Sequence, residues 1–148
     1  MSKNGSGLHV VFTGAPGCGK GTQARLLKEK TGICHLSTGE MLRAEASKGT
    51  KLGSEIKALL DAGSFVTDEM IIAMVSKRIE EDDCKNGFIL DGFPRTLPQA
   101  EILEKMLAER GITLDAVIEI QVPDEIIMER ILGRYACMTC GEGYHDKF

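Results

Sequence analysis

Apolar and polar positions along the 148-residue chain fall into two kinds of run, and the two kinds alternate. The first is short, rich in β-branched or aromatic residues, and closed by a polar, glycine or acidic residue. Such runs occupy 8–13 (Leu-His-Val-Val-Phe-Thr), 33–36, 87–91 (Gly-Phe-Ile-Leu-Asp) and 116–122, and they predict buried strands. The second kind repeats its apolar residues at helical spacing. Residues 23–30 place Ala24, Leu26 and Leu27 inward, and 51–62 form a further helical stretch stopped by Gly63. Ala100, Leu103, Met106 and Leu107 give one apolar face to a helix that runs to Arg110 and is stopped by Gly111. Helix starts are marked as well. Ser37-Thr-Gly-Glu40 and Thr96-Leu-Pro-Gln99 have capping-box spacing, and Thr67 stands before Asp68 and Glu69 in a first turn. Pro123-Asp124 opens a last helix through Ile126, Ile127 and Ile131 to Gly133. Strands and helices alternating at these intervals demand parallel pairing, so the pattern predicts a doubly wound α/β sheet. Residues 134–148 lack a period long enough to extend that sheet, and the polar residues 1–7 read as a flexible leader.

Composition narrows the class. At 16.1 kDa, with 43% hydrophobic and 27% charged residues, the chain is one ordinary domain that needs no disulfide or metal staple. Eighteen basic against twenty-two acidic residues give a net charge of −4, which counts against a nucleic-acid partner. No apolar run approaches the roughly 20 residues that cross a bilayer, so no membrane partner is expected. Cys18, Cys34, Cys84, Cys137 and Cys140 are an odd, scattered set, which argues against a disulfide framework and for the cytoplasm.

The chemistry begins at Gly14-Ala-Pro-Gly-Cys-Gly-Lys20. This run fits G-x-x-x-x-G-K and sits between a predicted strand and a predicted helix, the context a phosphate-binding loop requires. Its glycines let backbone N–H groups turn inward as a nest, the helix N-terminus adds a positive end, and Lys20 adds a full charge for the β- and γ-phosphates. Gly21 follows Lys20, so the hydroxyl that would reach Mg²⁺ comes one place late, at Thr22.

That variant, Gly-x-Pro-Gly-x-Gly-Lys-Gly-Thr-Gln, resembles the nucleoside monophosphate kinases, the adenylate kinase family above all. Further matches follow in order: Ser37-Thr-Gly-Glu-Met-Leu-Arg43, Val66-Thr-Asp-Glu69, Asp91-Gly-Phe-Pro-Arg-Thr96, and Arg130 with Arg134 ahead of Tyr144-His145. The resemblance implies a three-layer P-loop NTPase fold with a parallel sheet. Its core would be 8–36 and 67–133, its inserted helical AMP-binding segment 37–66, and the start of a lid 134–148. It implies reversible phosphoryl transfer from Mg·ATP to AMP, giving two ADP. Gly17, Cys18, Gly19, Lys20, Gly21, Thr22, Arg130, Arg134 and Tyr144 would hold ATP. Thr38, Arg43, Ser64, Val66, Gly92, Arg95 and Gln99 would hold AMP. Lys20, Asp91, Arg95, Arg130 and Arg134 would act in transfer, with Mg²⁺ reached by Thr22 and, through water, by Asp91.

Elementary chemistry is consistent with these assignments. Joining two polyanions needs cations between them, and a guanidinium grips phosphate oxygens in pairs. Arg130 and Arg134, four apart, are expected on one helical face. UMP/CMP kinases, the alternative within the family, carry alanine and asparagine where Thr38 and Gln99 stand; a non-catalytic nucleotide-binding fragment is the alternative outside it. Gln99 offers a donor and an acceptor to an adenine edge, and equally completes the cap with Thr96. Cys137-x-x-Cys140 resembles half of a lid zinc site, whose other half would lie beyond Phe148 in a full-length, monomeric parent. A chain lacking the rest of the lid is expected to be weakly active or inactive.

Overall fold

The computed structural model describes residues 7–140 and 142–147. The elements run β1 (Leu8–Thr13), α1 (Lys20–Thr31), β2 (Cys34–Ser37), α2 (Thr38–Ala46), α3 (Lys51–Asp61) and α4 (Asp68–Ile79). A 3-10 turn (Asp82–Cys84) then leads to β3 (Gly87–Asp91), α5 (Leu97–Glu109), β4 (Ala116–Glu119), α6 (Asp124–Leu132), β5 (Arg134–Ala136) and β6 (Gly143–His145). Four strands form a parallel sheet in the order β2-β3-β1-β4. The leader expected over 1–7 lies outside the described residues except for Gly7.

Alternation of side chains along the strands divides the core into two layers. Val11, Leu36, Phe88 and Leu90 point to one face, where they pack with Val75 and Ile79 of α4 and Leu103, Met106 and Leu107 of α5. Val10, Phe12 and Ile89 point to the other and meet Ala24 of α1, with Leu27 against them. Helices thus cover both faces of the sheet, the three-layer arrangement expected. Leu26 is a correction, since it is exposed while Ala24 and Leu27 face the core. A 12-residue helix with one buried position has room for only a narrow apolar stripe.

Two more expectations change. The fourth strand ends at Glu119 rather than at 122, and all four of its residues are exposed. Residues 134–147 hold a short antiparallel hairpin, with Arg134 opposite His145 and Tyr135 stacked on Tyr144 at 5.8 Å between centroids. Three-residue strands are too brief to show a period in the sequence. Among the described residues, no helix is long and apolar enough to cross a membrane.

Candidate nucleotide site

Parallel strands deliver their C-terminal ends to one edge of the sheet, and open α/β folds bind ligands there. Here that edge collects Thr13 of β1, Ser37 of β2 and Asp91 of β3, with Asp91 in register with both Phe12 and Ser37. The glycine loop leaves β1 at this edge and enters α1. Its Gly14, Gly17 and Gly19 have φ of 142°, 82° and 104°, a region L side chains rarely adopt, so the loop's turn needs glycine.

The helix that follows lacks a feature that α2 to α5 share. Side chains cap α2 (Ser37), α3 (Thr50), α4 (Thr67) and α5 (Thr96), each accepting from a first-turn N–H. Helix α1 has no side-chain cap and no acid in its first turn, and it opens on a lysine. A cation at a helix N-terminus opposes the dipole, so this end is arranged for an anion. Lys20 Nζ donates to the carbonyls of Gly14 and Ala15 at 2.8 and 3.1 Å, which holds the ammonium over the loop.

Arginine placement divides along the same line. Arg25, Arg78 and Arg110 each lie within 4.0 Å of a carboxylate. Among the described residues, Arg43, Arg95, Arg130 and Arg134 have none. Arg130 reaches across to the loop carbonyls of Cys18 and Gly17 at 3.3 and 3.5 Å. Arg95 Nε donates to the Gly92 carbonyl at 2.8 Å. Gly92 has φ of 86°, and a Cβ there would stand 2.8 Å from Thr38 Oγ1 and 3.2 Å from an Arg95 nitrogen. Thr38, Gly92 and Arg95 are therefore one packed group, beside Asp91. Arg134 is a correction: α6 ends at Leu132, so Arg134 begins β5 and does not share a helical face with Arg130. Gly133, a poor helix former, marks the break.

Asp91 faces this group with a partner that the motif reading did not include. Its Oδ2 lies 3.0 Å from His35 Nε2, and 3.9 Å from where a Cβ at Gly21 would sit. His35 stands on β2 two residues before Ser37, and period-two alternation toward the ligand edge is the signal that could have found it. Gln99 is 5% exposed; its Oε1 accepts from the Arg95 N–H at 2.7 Å and its Nε2 donates to Asp68 at 2.6 Å. Its own N–H bonds the Thr96 hydroxyl, so Thr96 caps the helix, while the Gln99 side chain binds the N–H of Arg95 rather than that of Thr96. Ser64 and Val66 lie in the link between α3 and α4, with Ser64 exposed and Val66 partly buried.

Farther out, Tyr144 is half-exposed on the hairpin. Cys137 is partly buried and Cys140 exposed; backbone N–H groups of Cys140 and Thr139 converge on the Cys137 sulfur and lower its pKa to about 7. Two thiols in such a turn suit half of a zinc site, but among the described residues no third ligand joins them. A concavity of about 680 Å³ lies elsewhere, lined by Gly7, His9, Cys84, Lys85 and Asp115 near the opposite end of the strands. The C-terminal edge of the sheet is marked by charge and backbone.

Fold and loop together define a P-loop phosphate-binding α/β protein. The adenylate kinase family profile matches residues 12–147, and the chain belongs to that family. It is 57% identical over 140 residues to an adenylate kinase of Allorhizobium ampelinum, covering 95% of this chain and 65% of the relative. Adenylate kinases of Paramagnetospirillum magneticum and Symbiobacterium thermophilum are each 52% identical over 141 residues, again covering 95% of this chain and 65% of theirs. The chain thus spans about 65% of the length of these relatives.

Proposed function

We propose that this protein transfers a phosphoryl group reversibly between Mg·ATP and AMP, giving two ADP. The observation that carries the reading is the gathering, at one sheet edge, of an uncapped helix N-terminus, Lys20 and arginines without carboxylate partners. Two polyphosphates can approach only where cations offset their repulsion, and positioning with charge supplies most of the acceleration. In this reading the loop 17–22 cradles the ATP phosphates, with Arg130, Arg134 and Tyr144 on the same side. Thr38, Arg43, Ser64, Val66, Gly92, Arg95 and Gln99 hold AMP between the core and the helical segment 37–66. An AMP phosphate oxygen attacks the γ-phosphorus, and the bond to the β–γ bridging oxygen breaks. Mg²⁺ enters as part of Mg·ATP. The donors on hand, the Thr22 hydroxyl and the Asp91 carboxylate, are hard oxygens of the kind that ion takes, directly or through its waters. His35 fixes one Asp91 oxygen and leaves the other to that task.

The test is a coupled assay of ADP formation with AMP, CMP and UMP as acceptors. AMP is expected to be preferred at least tenfold. Preference for a pyrimidine monophosphate overturns the reading.

A further inference from the structure

Away from the nucleotide edge, the described residues bring together a second group of reactive side chains. Cys34 begins β2, while Asp83 and Cys84 close the 3-10 turn before β3. The two sulfurs and one Asp83 oxygen all lie within 4.8 Å of one another, and both cysteines are buried. Arg78, near the end of α4, grips Asp83 with two nitrogens at 2.6 and 2.7 Å. The same nitrogens lie 3.3 Å from the Cys84 sulfur and 3.1 Å from the Cys34 sulfur. The Cys34 thiol donates to Asp83 Oδ2 at 3.2 Å, and the Cys84 thiol to the Arg78 carbonyl at 3.4 Å. Two sulfurs and a carboxylate also make a ligand set for a soft divalent cation. The guanidinium, however, already contacts all three groups, and a second cation would face it directly.

We propose that Cys34 and Cys84 are a latent disulfide, closed by exchange with a low-molecular-weight disulfide such as oxidised glutathione. Cys84 is among the residues that line the 680 Å³ concavity, the side from which a small oxidant would approach the pair. Its thiolate attacks a sulfur of the oxidant, forming a mixed disulfide and expelling one small thiolate. The Cys34 thiolate then attacks the Cys84 sulfur and expels the second. Two protein thiols lose two protons and two electrons, and the oxidant is reduced to two thiols. The small thiolate expelled in the first step takes up the Cys34 proton, while Arg78 offsets the charge of each protein thiolate as it forms. Burial holds the Cys84 thiol up at about 12, and raises Cys34 too, so the exchange is slow. Once the sulfurs have closed to about 2.05 Å, Arg78 keeps both bonds to Asp83, and no charge is left unpaired.

The bond would close a loop of about 50 residues and so restrict the unfolded chain. It would lie at the starts of β2 and β3, whereas Thr38 and Asp91 sit at their far ends, so nucleotide affinity should not respond. The experiment incubates the protein in an oxidised glutathione buffer, alkylates free thiols in denaturant, and maps the digest by mass spectrometry. The expected result is a Cys34–Cys84 cross-linked peptide lighter by two hydrogens. With it should come a rise of about 5–10 °C in Tm, reversed by dithiothreitol. ATP affinity should stay within twofold, and Cys84→Ala should abolish both the link and the rise. The digest of the natural chain decides the matter even if that variant folds poorly. Full alkylation of Cys34 and Cys84 under conditions that glutathionylate the exposed Cys140, or a link formed only after unfolding, overturns the proposal.

Discussion

Arg78 and Asp83 are a planar bidentate pair at the rim of the core, and their chemistry sets a pH dependence. The Arg78 guanidinium holds the Asp83 carboxyl well below the usual carboxylate range, with further hydrogen bonds from the two thiols. A carboxylate whose pKa is depressed by folding stabilises the fold above its unfolded value, near 3.9, and loses that contribution as pH falls toward the folded value. Asp83 is 56% exposed on its side chain, so solvent screens the pair and the contribution is about 1 kcal/mol rather than more. Asp83→Asn should lower Tm at pH 7, and the gap from the natural protein should narrow steadily as pH falls from about 4 toward 2. Thermal melts across that range check it; a gap that stays constant to pH 2 would show that the charge is irrelevant. This residue pair was not legible in the sequence, nor was His35 beside Asp91, because each depends on strands and turns tens of residues apart coming together. Lys20, Asp91 and Arg95 were legible because a local motif fixes their neighbours in the chain.

Elements were more legible than residue contacts. The threonine caps of α4 and α5 and the serine cap of α2 were visible as local spacing, and the structure forms each of those bonds. The hairpin was invisible for the same reason inverted: its strands are shorter than one readable period. The most informative element is α1, whose N-cap is Gly19 with Lys20 next, where α2, α3, α4 and α5 have a capping hydroxyl oxygen. Without an anion that arrangement is mildly unfavourable, and with one it becomes favourable. Saturating ATP, at about 100 times Kd, should therefore stabilise the protein by about 2.7 kcal/mol, or about 5–10 °C in Tm. Lys20→Met removes a charge that opposes the helix dipole and two bonds to loop carbonyls, so its melting point without nucleotide should shift by only about 2 °C. Its ATP-induced rise should largely vanish. Scanning fluorimetry with and without ATP measures both, and an undiminished rise in Lys20→Met would remove Lys20 from the phosphate site.

At the scale of the molecule the sheet is unevenly covered. Phe88, Ile89 and Leu90 of β3 are wholly buried, whereas the outer strand β4 leaves Val117 64% and Ile118 41% exposed. Strands of a parallel sheet read as continuous apolar runs because helices usually cover both faces, and so the sequence announced β4 as a strand without revealing its exposure. Helix α6 likewise exposes Ile126, Met128, Ile131 and Leu132. An open edge with unpaired N–H and C=O groups next to apolar side chains is a template for pairing with another chain. The 148-residue chain should therefore self-associate with rising concentration, and light scattering coupled to size exclusion should show its mean mass climbing. Ile118→Lys places a charge on that edge, at a position already in contact with water, so it should cost little stability. It should hold the chain at monomer mass at concentrations where the natural sequence associates. If both proteins show the same mass at every concentration, the β4 edge is not the surface through which the molecules meet.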